Sequence, residues 1–171
     1  MDKRKKPERT AGYRRGFLLR CLVIAGILIG IRSCLVIVPQ HGSQMFPAIR
    51  DGDLILAFLP AKHYPAGAVV VYRTKEGIKR IGRIVAVPED VVDISEDGLL
   101  SVNERIVSEE IFYPTSFEGA QIGALPLKIP EDSYYILNDH RTETDDSREY
   151  GVISRTDLCG KAFWLFRRRG F

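Results

Sequence analysis

The chain changes its hydrophobic pattern once, at Pro39. From Phe17 to Val38 nearly every position is apolar, without a polar face. After Pro39 the apolar residues fall into short runs broken by turn residues. These are Leu54–Leu59, Val69–Tyr72, Ile81–Val87, Val91–Ile94, Leu99–Val102, Tyr134–Leu137 and Ala162–Phe166. The runs are short, rich in Val, Ile, Tyr and Phe, and bounded by Gly, Pro, Asp and Asn, so they predict strands. No stretch after Val38 keeps a helical period with caps. The Glu104–Pro130 region has weak strand signals and several Gly and Pro, and predicts an insertion or long hairpin loop.

A run of 22 residues is roughly 33 Å long as a helix, enough to cross a bilayer. The expected organisation is therefore a basic tail at 1–16, a transmembrane helix at 17–38 and a β domain at 39–171. Arg20 near the inner end can snorkel. Arg32 lies six residues from Val38 and is costly inside a membrane, by about 2.5–3.5 kcal/mol at a helix centre. A cleaved signal peptide lacks a good small-residue site around Ser33-Cys34, and a lipoprotein cleaved before Cys34 has Arg32 badly placed. A buried helix of a soluble protein is the remaining alternative.

Charge supports an anchor. The formal net charge is +3, yet residues 1–38 hold nine Lys/Arg against two acids, and the rest sixteen against twenty. Lys3, Arg4, Lys5, Lys6, Arg9, Arg14 and Arg15 flank one end of the apolar run. That places the N-terminus in the cytoplasm and the domain outside. The basic excess is a tail, so nucleic-acid binding is not expected. Of the three cysteines, Cys21 and Cys34 lie in the apolar segment and only Cys159 in the domain, which excludes an intradomain disulfide. His41 and His63 have no ligand-like companions, so neither a metal site nor a cofactor is expected.

Five boxes in order carry chemistry. Gly42-Ser43-Gln44-Met45-Phe46-Pro47 leads to Gly52-Asp53. Gly67-Ala68-Val69-Val70-Val71-Tyr72 follows. Next come Arg83-Ile84-Val85-Ala86-Val87-Pro88-Glu89-Asp90 and Gly98-Leu99-Leu100-Ser101-Val102-Asn103. The last is Asn138 to Arg148, with Gly151 beyond. Together they resemble the type I signal peptidases, membrane serine proteases with a Ser-Lys dyad, over nearly the whole chain. The resemblance implies a mostly β, signal-peptidase (LexA-like) fold of coiled antiparallel sheets behind a single N-terminal transmembrane helix. It also implies a peptide groove near the outer membrane face, built from Gly42, Ser43, Gln44, Met45, Pro47, Gly82 and Thr144.

The same resemblance puts the family's nucleophilic serine at Gln44 and its lysine at Gly82. Such a protease needs a hydroxyl in a tight turn and a lysine held neutral by burial. Neither replacement supplies one, so no catalytic dyad is expected intact. The family's residue supporting the lysine falls on Thr144, and its oxyanion-side serine on Gly42. Ser43 is the fallback nucleophile. Lys79 points away from Gly82 on a strand, Arg80 shares its face but does not deprotonate, and His140 is a weakly supported base. A bulky residue at 82 is expected to fill the groove. Asp139 with Arg83 or Arg141, and Asp146 with Arg148 beside Ser147, are expected structural supports. A solvated charge cluster is the alternative. Arg167-Arg168-Arg169 reads as an exposed tail.

The sequence is most similar to the dyad-lacking, signal-peptidase-like pilus-assembly proteins (SipA type) of Gram-positive bacteria. That implies a chaperone or scaffold for a pilin or other secreted precursor, working with a sortase. The alternatives are an active signal peptidase using Ser43, and a membrane-anchored binding protein unrelated to pili.

Overall fold

The computed structural model describes residues 9–59, 61–107, 114–115 and 125–167, with side chains from residue 16 onward. It contains two units, Met1–Cys34 and Leu35–Phe171.

The first unit contains one helix, α1 (Arg9–Cys34). Its Gly16–Cys34 segment is long and apolar enough to cross a membrane and none of it is buried in protein. Nineteen residues span roughly 28 Å, close to a bilayer core. A helix that is apolar all round and uncovered by protein is suited to lipid. This helix is consistent with a membrane anchor.

The expected helix at 17–38 ends too late. Leu35–Pro39 is strand β1. A continuous apolar run hides such a change, because periodicity cannot separate a buried strand from a helix end. Tertiary pairing decides it. β1 runs antiparallel to β2 (Leu54–Phe58), with Leu35 opposite Phe58 and Pro39 opposite Leu54, and Val38 enters the core. The earlier end also eases Arg32, which lies in the last turn of α1, where a cation suits the helix dipole.

The second unit continues with β3 (Val69–Arg73), β4 (Lys79–Ala86), β5 (Val91–Ile94), β6 (Leu100–Val102) and β7 (Arg105–Ile106). Then come β8 (Leu127–Lys128), β9 (Ser133–Leu137), the short helix α2 (Ser147–Tyr150), β10 (Ile153–Ser154) and β11 (Leu158–Phe166). They form a seven-stranded sheet, β1-β2-β11-β3-β4-β9-β10, and a four-stranded sheet, β7-β6-β5-β8. All pairings are antiparallel. The fold is thus mostly β, with curled antiparallel sheets and one N-terminal apolar helix. Of the Glu104–Pro130 region, residues 108–113 and 116–124 lie outside the described residues. The described part supplies the two-residue strands β7 and β8, too short to read from sequence.

Two faces of the large sheet matter for the site. One carries Val38, Ile55, Val71 and Ile81, packed against Met45 and Ile49. The opposite one carries Val70, Tyr72, Ile84 and Ile136. Elsewhere Ile37, Leu54, Phe58, Trp164 and Phe166 stay exposed. Register places Ile37 beside Leu56, Leu56 beside Trp164 and Leu54 beside Phe166, so they share one uncovered apolar face.

Candidate functional site

The turn after β1 is held by its own backbone. Gln40 N–H donates to the Asp53 carbonyl at 2.8 Å, and Gly52 N–H donates back to the Gln40 carbonyl at 2.9 Å. Asp51 accepts from Gly42 N–H at 2.8 Å, and Asp53 from Arg50 N–H at 3.0 Å. Gly42 and Gly52 take φ of 81° and 82°, which glycine adopts without strain. Met45 is fully buried in the core below. It anchors the turn and leaves Ser43 and Gln44 on the upper side.

Gln44 lines a cavity of about 250 Å³ with Val38, Gln40, Arg80, Ile81 and Asn138 among its walls. The cavity lies between two strand edges. Among the described residues, β1 pairs with β2 alone. The first half of β4, Lys79–Gly82, pairs with β3, whereas β9 joins β4 only from Arg83. An extended peptide can add a strand at such edges. Of the seven residues expected to form a groove, Gln44 lines this cavity; Gly42, Ser43, Met45, Pro47, Gly82 and Thr144 do not.

Gly82 requires the largest correction. A Cβ placed there would lie 2.5 Å from Ile136 Cγ2 and 3.2 Å from Tyr72 Cε1. Its side-chain direction is already filled, on the face of the sheet that carries Val70, Tyr72 and Ile136. A bulky residue at 82 would therefore strike Ile136 and Tyr72 and would not fill the cavity. Glycine inside a strand was the available signal, since it often marks the close approach of another group. Tyr72 itself was not singled out. Its ring lies beside Gly82, and its hydroxyl is buried with no hydrogen-bond partner among the described residues. Burial, reinforced by nearby Asp146, pushes its pKa well above the usual tyrosine value.

Ser43 Oγ donates to Glu143 Oε1 at 2.8 Å, in an exposed setting. His140 Nδ1 lies 3.7 Å from the same Glu143 oxygen. The serine hydroxyl is thus directed at the carboxylate, and the imidazole nitrogen lies near the same oxygen. A Ser-His-acid relay needs the histidine in the middle, accepting the hydroxyl proton. His140 N–H also donates to the Gln44 carbonyl at 2.8 Å, which ties the two loops together.

The loop that follows is a buried polar network. Asp146 and Arg148 are fully buried. Arg148 Nε and Nη2 donate to the two Asp146 oxygens at 2.9 and 2.6 Å. Arg148 also donates to the carbonyls of Arg141 and Glu143, and Asp146 accepts from Asn138 N–H at 2.9 Å. The pair does not form along an extended segment, as the i, i+2 spacing suggested. Asp146 is the N-cap of α2 and accepts from Arg148 N–H as well, as capping aspartates do. Ser147 Oγ accepts from Ile136 N–H at 2.9 Å. Asp139 takes Arg83, through two bonds of 2.7 Å. Arg141 is also buried. Arg80 pairs with Asp145, which also accepts from Asn138 Nδ2 at 2.7 Å. Burial works against the Arg80 charge, but Asp145, Tyr150 and Tyr72 together outweigh it, so its pKa is raised. Arg80–Asp145, Asn138 and Glu143 were not predicted from sequence, although the last three fall inside the Asn138–Arg148 box. Thr144 is half-buried and its carbonyl accepts from Asp146 N–H at 2.8 Å. Arg167 does not trail free. It donates to the Ala48 carbonyl at 3.0 Å and lies 3.6 Å from Asp53; Arg168 and Arg169 lie outside the described residues.

Comparison with known proteins agrees with the order of boxes. A family model described as "Signal peptidase, peptidase S26" matches residues 14–167. The chain is 31% identical over 162 residues to a protein named probable signal peptidase I-2 from Synechocystis, covering 86% of this chain and 71% of that one. It is 24% identical over 161 residues to signal peptidase I of Bacillus licheniformis, covering 86% of each. Among solved structures, a signal peptidase I from Enterococcus faecalis V583 matches at a TM-score of 0.49 and 21% identity, over 58% of this chain and 97% of that one.

Proposed function

The chain belongs to the signal peptidase family, peptidase S26, and from that premise we propose that it is a membrane-anchored member that holds an extended peptide without cutting it. The observation that carries this reading is the pair Gln44 and Gly82. An amide stands where the family's pattern has its serine, and the lysine's place is a glycine whose side-chain space belongs to Ile136 and Tyr72. Loss of the nucleophile or base alone costs about 10⁶ in kcat in another serine protease. The cavity between the edges of β1 and β4 remains and suits an extended chain. On this reading α1 crosses the membrane with its N-terminus in the cytoplasm and the β domain outside, an orientation that the basic residues of the tail favour. There the client is a pilin or other secreted precursor, and the role is that of a scaffold or chaperone in sortase-dependent pilus assembly.

A second reading rests on one contact. Ser43 directs its hydroxyl at Glu143, and an active signal peptidase would use that pair. A carboxylate is a weak base towards an alcohol, and the Ser43 hydroxyl proton is directed at that carboxylate, so the first reading is preferred.

The test uses the full-length protein in detergent micelles with a purified preprotein and a purified pilin precursor. No cleavage is expected, and a photo-crosslinker at Ile78 should capture the pilin. Cleavage that disappears in Ser43→Ala supports the second reading. Absence of both cleavage and crosslinking leaves a membrane-anchored binding protein unrelated to pili.

A further inference from the structure

Gln44 occupies a built position. Gln40 is almost fully buried. Its Nε2 lies 3.1 Å from the His41 carbonyl, 3.4 Å from the Gly42 carbonyl and 3.1 Å from Gln44 Oε1. Two backbone carbonyls identify that Gln40 atom as the nitrogen, because an oxygen there would face two acceptors. The Gln44 atom turned toward it must then be the oxygen. The other end of the Gln44 amide, Nε2, is a donor that no hydrogen bond among the described residues occupies. A second feature fixes the same group. A Cβ on Gly42 would lie 2.7 Å from Gln44 Oε1 and 3.1 Å from Nε2. The glycine leaves the space in which the amide rests, over a backbone of φ 81° that already favours glycine.

We propose that the Gln44 amide is a fixed hydrogen-bond donor to one main-chain carbonyl of an extended, apolar peptide lying between the edges of β1 and β4. The proposal rests on the peptide-holding reading above and names the contact that sets the register. A serine at this position would attack a carbonyl. An amide nitrogen is no nucleophile, and it donates to the carbonyl oxygen. The walls contributed by Val38 and Ile81 suit small apolar side chains, and the Arg80 charge is already matched by Asp145.

The test measures binding of a fluorescein-labelled hexapeptide of alternating Val and Ala to the full-length protein in micelles. Gln44→Glu keeps an oxygen toward Gln40 and replaces the donor with a second acceptor. It should weaken binding about tenfold, the scale of one lost hydrogen bond with added repulsion. A peptide series with each carbonyl in turn changed to a thiocarbonyl, a weaker acceptor, locates the contact. One position should weaken binding to the wild type and leave Gln44→Glu unaffected. If Gln44→Glu melts early, Gln44→Met, which lacks the donor and carries no charge, is used in the same series. Equal binding by wild type and variants, or a thiocarbonyl effect that does not depend on residue 44, overturns this proposal and leaves the peptide-holding reading in place. No binding by the wild type overturns both.

Discussion

The turn 40–53 and the loop 138–148 wall the same cavity, yet they treat polar groups in opposite ways. In the loop, Asp146 and Arg148 have no contact with solvent, and they bond to oxygens and N–H groups held by the fold. In the turn, Ser43 and Gln44 are partly open, and each side chain makes one bond to another side chain. Buried charges must be fully partnered, because low-dielectric surroundings make a stranded charge costly. Open polar groups carry no such constraint. The family's architecture can therefore persist in the loop while the chemistry of the turn is exchanged.

The largest expected effect comes from breaking the loop. Arg148→Met leaves the Asp146 carboxylate buried without its partner and frees two carbonyls. It should cost about 3–5 kcal/mol in denaturant unfolding of the full-length protein. Asp146→Ala should cost a similar amount, since it also removes the cap of α2 and the acceptor for Asn138 N–H. Changes below about 1 kcal/mol would mean that the loop is organised by something other than this pair.

Next is the glycine. Gly82→Lys must displace Ile136 and Tyr72, and overpacking of this kind costs about 1–3 kcal/mol. It should restore no cleavage, alone or with Gln44→Ser. The obstruction has a specific partner, so Gly82→Ala combined with Ile136→Ala should cost less than the two changes summed. Strict additivity would separate Gly82 from Ile136 and reopen the lysine's position.

The third effect is smaller and has the opposite sign. The Tyr72 hydroxyl is buried without a partner among the described residues, so Tyr72→Phe should stabilise by about 1 kcal/mol. It should also alter the alkaline limb of the stability profile. Burial raises the Tyr72 pKa in the folded chain, and burial does the same to Tyr135. An unfolded tyrosine loses its proton near about pH 10. Above that pH the unfolded chain binds fewer protons than the folded one, so stability is full below about pH 10 and falls as pH rises. Tyr72→Phe should make that fall shallower. An unchanged slope would mean that the Tyr72 hydroxyl is solvated and ionises in the folded chain as it does in the unfolded one.

Much of this contrast was legible in the chain, for unequal reasons. The main strands were readable because each is a β-branched or aromatic run ended by turn residues, as in Val69–Arg73 and Ser133–Leu137. β1 was not, because Leu35–Pro39 continues an apolar run and only its pairing with β2 distinguishes it. The replaced residues at 44 and 82 could be located from the boxes around them. What fills position 82 could not, since Tyr72 and Ile136 reach it from neighbouring strands whose register no local pattern states. The same applies to the Gln40–Gln44 contact, which needs a turn that brings residues four apart face to face without a helix.

The smallest expected effect concerns Ser43. Its single side-chain bond, to Glu143, lies in the open, where such a contact contributes little, about 0.5 kcal/mol or less after exchange with water. Ser43→Ala should therefore leave melting and peptide binding unchanged. Glu143→Gln is the sharper partner experiment. If the turn were reactive, the carboxylate would be the group that takes the hydroxyl proton, and any cleavage would vanish with either substitution. His140 lies with its Nδ1 3.7 Å from the same Glu143 oxygen, so His140→Ala belongs in the same assay. An inert turn predicts that both variants match the wild type in a preprotein cleavage assay, at no detectable product. Cleavage by the wild type that is lost in both variants would make the turn a chemical site after all, and the contrast with the loop would become one of function rather than of decay.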